Sequence, residues 1–459
     1  MTKATTDVLI CGAGIAGIAA AYFLAVKKGI KDIILVDERD PLSLTSDKST
    51  ECYRNWWPGP DNAMVQLMNR SIDLLEGMAH SSGNVFHLNR RGYLFLTADH
   101  ERVEDFKNLG EQAFQFGAGA LRIHSEKSNH LEYVPADSEG FESDLDGADL
   151  ILNPELIQKH FPYLSDDTLA ALHVRRAGWL SAQQLGMYML KEARKNGVRL
   201  VNAKVTGFKT IGHRVNEVEL AADTDQRIST PTFINAAGPY VKEIGELLGT
   251  ELPVFSELHL KIACNDPLQV VPRHAPLLIW EDPQKLPFTQ EEQQFLADDP
   301  EIQWLLNEFP RGIHTRPEGG LDSQSILILW TYDTQPVKPV WPPPVDPFYP
   351  EVAMRGLAAM LPRMQDYFGK FPKPVVDGGY YTKTIENRPL VTPLDIEGAF
   401  LIGAFSGFGI MASCACGELL AAQVTGDTLP SYAPSFDIKR YQNPDYKKIL
   451  ETWGDTGQL

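Results

Sequence analysis

Asp7-Val-Leu-Ile-Cys-Gly-Ala-Gly-Ile-Ala-Gly17, continued by Ile18 to Lys28 and then by Lys31-Asp-Ile-Ile-Leu-Val-Asp37-Glu38, decides the fold. A short apolar run, residues 8–11, meets Gly12-x-Gly14-x-x-Gly17. A helix is expected over residues 15–26, and a second apolar strand ends in Asp37, 20 positions after Gly17. Gly12 permits a tight turn, Gly14 lets the backbone approach a pyrophosphate, and Gly17 allows close packing of helix on strand. The helix N-terminus offers free N–H groups and a partial positive charge to phosphate. Asp37 can accept from ribose hydroxyls, and its charge disfavours a 2′-phosphate, hence NADP. The competing reading is a membrane span, because residues 8–26 are 19 positions without a charge. Three glycines weaken such a helix and another apolar strand starts directly after Lys31, so a dinucleotide-binding unit is expected and no membrane span.

The chain has 459 residues, 43% of them hydrophobic, enough for a large core and two or three domains. Its net charge of −18 argues against a nucleic-acid or anionic-membrane partner, which it would repel. Five scattered cysteines make a disulfide framework improbable and point to a reducing, cytoplasmic compartment. Cys414-x-Cys416 has no histidine nearby, so it reads as small buried residues and no metal site is expected.

Past Asp37 the sequence becomes a polar loop, residues 39–50, of the kind that faces a cofactor. Amphipathic spacing places a helix at 62–79, a strand follows at 91–97, and residues 124–149 read as loop. Ser181-Ala-Gln-Gln184 opens a helix at 184–196 that Gly197 closes. Strands are expected at 198–201, 204–210 and 214–220. The run Thr232-Phe-Ile-Asn-Ala-Ala-Gly238-Pro239 is another strand-to-helix turn, which places Gly238 near the cofactor or, alternatively, in a simple turn. Residues 252–377 change to strands, prolines and tryptophans, an antiparallel sheet that could roof a cofactor, with a proline-dense surface arm at 336–350. A second glycine-rich turn, Gly407-Phe-Gly409, follows a strand at 399–406. No acid-terminated strand comes after it, so it is expected to return to the first sheet.

This order resembles the FAD-dependent amine and amino-acid oxidoreductases of the D-amino-acid oxidase class, which includes glycine oxidase and sarcosine oxidase. The carriers are the N-terminal glycines with Asp37, Asn235-Ala-Ala-Gly-Pro, Arg388-Pro, Gly403 and Ser406-Gly-Phe-Gly409. The resemblance implies an α/β fold: a discontinuous Rossmann-like FAD-binding domain (1–83, 151–250 and 383–459) and a substrate domain (84–150 and 251–382). The latter is a mixed or antiparallel β-sheet carrying helices. It implies FAD contacts from Gly12, Gly14, Gly17, Asp37, Thr50, Val205, Gly238, Gly403, Gly407, Gly409 and Met411. Arg54 falls where sarcosine oxidases place an arginine on the substrate carboxylate, and Arg388 where glycine oxidase and D-amino-acid oxidase place theirs. Either fork could bind a carboxylate, and either could equally form a structural salt bridge.

Three positions depart from the family pattern. Met411 stands at a second carboxylate-binding lysine of sarcosine oxidases, Gly379 at the cysteine that links to flavin, and Ile328 at a lysine associated with oxygen activation. The implied function is oxidation of the C–N bond of an amine or amino acid, N-substituted and D-amino acids included, by hydride transfer to flavin. Electrons then pass to O2 or another acceptor. Tyr381 and His314 join the two arginines as candidate catalytic residues, with Tyr380 beside them. His259, Lys261 and His314 could replace the missing positive charge, and Trp56-Trp57 either lines an entrance or packs in the core. Two alternatives stay open: an NAD-dependent dehydrogenase, and a non-catalytic flavoprotein acting as a binding or assembly factor.

Overall fold

The computed structural model describes residues 4–125, 132–222, 226–451 and 453. Strands Val8–Cys11 and Ile33–Asp37 pair in parallel, Val8 opposite Ile33 and Cys11 opposite Val36. Among the described residues they belong to a six-stranded sheet. Its order is Val198–Asn202, Ile33–Asp37, Val8–Cys11, Thr232–Asn235, Ala399–Gly403 and Leu390–Pro393, parallel but for the last pair. The second glycine-rich turn therefore does return to the first sheet.

Both faces of this sheet are covered, which is why its strands are apolar without alternation. Val8, Ile10, Ile33 and Leu35 pack in the core that includes helices Ile15–Tyr22, Ala63–Ser82, Ala182–Lys195 and Gly409–Thr425. Their neighbours Leu9, Cys11, Ile34 and Val36 pack with Val205, Val218, Phe233 and Ile244. Each fully buried Val, Leu or Ile contributes about 1.5–3 kcal/mol. The uncharged run at 8–26 is thus strand, turn and helix, and no described helix is long and apolar enough to cross a membrane. The expected helix at 15–26 divides into Ile15–Tyr22 and a wider turn, Phe23–Lys27, that closes when the Lys28 N–H donates to the Phe23 carbonyl at 3.0 Å. Gly417, on helix Gly409–Thr425, permits close contact with helix Ile15–Tyr22, since a Cβ there would lie 3.0 Å from Ala19 Cβ. Cys414 and Cys416 are buried in that helix.

The second sheet has nine strands among the described residues. They run in the order Val375–Lys383, Phe255–Asn265, Ser325–Leu329, Ile313–Pro317, Leu277–Trp280, Tyr93–Thr97, Ala170–Val174, Ala148–Ile151 and Leu121–His124. It is mixed: two neighbouring pairs are parallel and the rest antiparallel. One face packs against helix Tyr349–Gly356 through Leu278, Ile313, Ile328 and Trp330. The other face presents Lys261, Leu329 and His314, which are direct cross-strand partners.

Residues 132–147 carry neither helix nor strand, as expected of the loop at 124–149, and its ends are paired in strands, His124 opposite Ile151 and Leu121 opposite Ala148; residues 126–131 lie outside the described residues. Ala170–Val174, within the segment 151–250 expected in the FAD-binding domain, pairs with Tyr93–Thr97 in the nine-stranded sheet. A short apolar strand has the same composition in either sheet, and only non-local pairing with Tyr93–Thr97 decides between them. The proline-dense arm has one isolated bridge to the second sheet, Pro336 with Glu257. Its Val340 carbonyl accepts from the Tyr380 hydroxyl at 2.9 Å.

Candidate active site

Two chambers lie between the sheets. The first, of about 860 Å³, is walled by Gly12, Gly14, Asp37, Gly238, Tyr380, Tyr381 and the turn around Gly403, Gly407 and Gly409. Sterics dictate the glycine turn. Gly12 has φ +108°, and a Cβ there would lie 2.3 Å from the Ala236 carbonyl oxygen; a Cβ on Gly17 would lie 1.8 Å from the Gly12 oxygen. Asp37, at its strand end, accepts from the Ala13 N–H (2.7 Å) and the Arg39 N–H (2.9 Å). Burial nonetheless pushes its pKa up.

The polar loop after Asp37 closes over this chamber as a strap. On one side the Leu42 N–H donates to the Ala13 carbonyl (3.0 Å) and the Ile15 N–H to the Ser46 hydroxyl (3.0 Å). On the other, two cations, the half-buried Lys261 and the buried Arg316, rise from the second sheet onto its carbonyls. Lys261 donates to Asp47 and Ser49 (3.0 and 3.1 Å) and Arg316 to Thr50 (2.8 Å), while Lys48 pairs with Asp377 at 2.7 Å. A backbone cradle without room for side chains, a helix N-terminus and a carboxylate at the rim suit an adenine dinucleotide.

The second chamber, about 450 Å³, contains Thr50, Arg54, Tyr93, His314, Leu329, Tyr381, Gly407, Phe408 and Met411 in its wall. It shares Tyr381 and Gly407 with the first chamber, and Arg54 with an open cleft that Trp56, Glu257 and Lys383 help to line. Strand Cys52–Arg54 is fixed by antiparallel pairing with Ala177–Trp179. The Arg54 Nε donates to the Trp56 carbonyl (3.1 Å), and the guanidinium lies over Trp57 at 4.5 Å and Tyr93 at 5.5 Å. Burial lowers its pKa, but an arginine remains charged.

The His314 Nδ1 is 2.9 Å from the Gly312 carbonyl, which can only accept, so Nδ1 carries the proton and Nε2 is an acceptor. Burial, the largest influence, drives this histidine down to about 4, leaving it neutral near pH 7. Burial raises the Tyr381 pKa, so the phenol keeps its proton; its hydroxyl has no protein hydrogen-bond partner among the described residues.

Arg54, His314, Tyr381, Thr50 and Met411 are thus brought together in the inner chamber. Gly12, Gly14, Asp37, Gly238, Gly403, Gly407 and Gly409 line the cofactor chamber. Gly17 sits behind that wall as a packing residue, and Val205 lies in the core with Leu9 and Val36, outside both linings. Arg388 is placed elsewhere, in a separate cavity of about 280 Å³, paired with Asp61 at 2.5 Å and stacked 4.5 Å from Trp453. Ile328 faces the opposite core, and by the two-residue strand period its neighbour Leu329 reaches the inner chamber. Tyr93, Phe408 and Ser46 were not singled out from sequence. Each is an ordinary strand, turn or loop residue whose role comes from a non-local neighbour.

Comparisons with known proteins place this geometry. The chain is 25% identical over 259 residues to mitochondrial dimethylglycine dehydrogenase of Rattus norvegicus, covering 56% of this chain and 26% of that protein. It is 24% identical over 261 residues to sarcosine oxidase subunit beta of an Arthrobacter species, covering 55% and 56%. The chain spans about a quarter of the length of the dimethylglycine dehydrogenases it matches. Its fold is that of L-proline dehydrogenase from P. horikoshii (TM-score 0.72, 20% identity, 96% and 98% of the two chains) and of glycine oxidase from Geobacillus kaustophilus (TM-score 0.72, 14% identity, 95% and 99%). A family model described as FAD dependent oxidoreductase matches residues 7–423, and with the glycine cradle, Asp37 and the returning second turn all in place the chain belongs to that family.

Proposed function

We propose that this chain oxidises the C–N bond of a carboxylate-bearing amine or amino acid, with Arg54 as the anchor of the carboxylate. The observation that carries the reading is the position of Arg54 in the inner chamber, one partition away from the cofactor chamber. Gly12, Gly14, Asp37 and the strap hold the dinucleotide, and bound FAD supplies the acceptor for the hydride. Arg54, kept in place by Trp57 and Tyr93, offers a planar fork to a carboxylate. None of the chamber's described wall residues is a carboxylate. A substrate ammonium beside Arg54 would be buried without a counter-charge, so the amine is held unprotonated. The neutral His314 Nε2 can accept from the N–H of a primary or secondary amine, and the Tyr381 phenol offers a donor to the substrate. Phe408, Leu329 and Met411 exclude water.

The apolar Ile328, where the family resemblance implied a lysine, and the apolar Leu329 beside it in the inner chamber favour an electron acceptor other than O2. Five free, buried cysteines favour a reducing, cytoplasmic location. Dimethylglycine and sarcosine, named by the relatives, are the first compounds to test. The discriminating experiment compares each active acid with its primary amide under anaerobic conditions. The acid is expected to reduce the flavin and the amide to fail, and equal reduction by both would remove the role of Arg54.

A further inference from the structure

Tyr381 is gripped from two sides, by Gly407 of the chamber walls and by His259, which plays no part in the scheme above. From the nucleotide domain Gly407 closes on its ring: a Cβ there would lie 2.6 Å from Tyr381 Cε2. From the second sheet the His259 imidazole stacks on the ring, with centroids 3.9 Å apart and planes 21° from parallel. His259 is buried on strand Phe255–Asn265 and is held at both nitrogens, Nε2 at 3.3 Å from Glu257 Oε2 and Nδ1 at 2.8 Å from Thr331 Oγ1. The carboxylate only accepts, so in the neutral ring Nε2 donates to Glu257 and the Thr331 hydroxyl donates to Nδ1. Glu257 lies opposite Tyr381 in the strand register and pairs with Lys383 at 3.1 Å, which fixes the carboxylate in turn. Burial lowers the His259 pKa, favouring the neutral ring over a cation between Lys383 and His314.

We propose that His259 is a positioning residue for the reaction: it fixes the Tyr381 ring as the partition between the two chambers, and Glu257 and Thr331 fix the imidazole itself. This rests on the reading of the inner chamber as the substrate site. A ring gripped by Gly407 and His259 holds its hydroxyl in one place in the chamber. Without the stack the ring tilts, the hydroxyl leaves the substrate, and the boundary with the flavin loosens.

The test replaces Tyr381 by 3-fluorotyrosine in the full chain and records its ¹⁹F resonance with and without FAD, in the native background and in His259→Ala and His259→Phe. A double-mutant cycle of turnover between His259→Ala and Tyr381→Phe accompanies it. The resonance is expected to shift or broaden in His259→Ala in both ligand states and to return in His259→Phe, which keeps an aromatic stack. Turnover is expected to fall about tenfold in His259→Ala and to recover to within about twofold in His259→Phe. The double variant should be slower than Tyr381→Phe by less than the loss that His259→Ala causes alone. An unmoved resonance, or losses that multiply in the double variant, overturns the proposal and leaves the substrate reading standing. Undiminished turnover in Tyr381→Phe removes the role of the hydroxyl and overturns the proposal, while the substrate reading stands or falls with Arg54. Should His259→Ala fail to fold, His259→Asn, which loses the stack but can still hydrogen-bond, takes its place with the same outcomes.

Discussion

Arg54 and Arg388 are equivalent on paper and different in the molecule. Arg54 lies in the inner chamber between Trp57 and Tyr93, and Arg54→Met is expected to lower kcat/KM for a carboxylate substrate by about one to two orders of magnitude, the worth of a charge-assisted bidentate contact. Its effect on the corresponding amide should be small, and steady-state kinetics on both compounds check it. Arg388 serves packing. Its ion pair joins a buried guanidinium to an Asp61 side chain that is 41% exposed, so Arg388→Met should cost about 1–3 kcal/mol, less than a fully buried pair. KM should stay within about twofold. Denaturant titration and kinetics separate the two effects. Sequence alone could not tell the arginines apart, because the distinction is made by Asp61, 327 positions from its partner. The stack of His259 on Tyr381 was equally illegible, since neither residue type nor local spacing announces it.

At the scale of elements, the glycine turn was legible because its constraint is local: Gly12, Gly17 and the strand end at Asp37 follow from spacing and steric reach. The strap after Asp37 was legible only as a polar loop. Its anchors, Lys261 and Arg316, come from strands more than two hundred positions away, and their targets are backbone carbonyls that carry no residue signature. Lys261→Met removes two charge-assisted hydrogen bonds from the strap and is expected to weaken FAD binding by about tenfold or more. The check is flavin fluorescence during titration of the FAD-free protein, and unchanged affinity would show that the strap closes without Lys261. Gly407→Ala forces a methyl group into the Tyr381 ring and should slow turnover while leaving the glycine cradle intact.

For the whole molecule, two sheets joined across a strap were foreseeable from the return of the second glycine turn, but the point where the chain passes between sheets was not. Ala170–Val174 reads the same in either. The fold also carries a pH signature. Burial lowers His314 to about 4 and His173 to about 3, against an ordinary value near 6.5. Below pH 6.5 the unfolded chain takes up protons at these sites that the folded chain refuses. Their penalty is therefore absent above that pH and grows as pH falls, by up to about 1.4 kcal/mol per site and pH unit. Asp37 and Glu51, raised by burial, act in the opposite sense. With these two histidines alone, stability by urea unfolding should drop by about 2–3 kcal/mol between pH 7.5 and 5.5; His259, also lowered by burial, acts in the same sense, and His314→Gln should remove about 1.4 kcal/mol of the drop. On the proposed reading the glycine-cradled chamber holds FAD and the Arg54 chamber delivers a C–N bond to it. The visible absorption of the FAD-reconstituted protein, followed anaerobically as dimethylglycine, sarcosine and D- and L-amino acids are added, addresses both halves at once. A flavin band bleached by at least one carboxylate-bearing amine is the expected result. Protein that acquires no flavin band, or one that no such amine bleaches, would contradict the account.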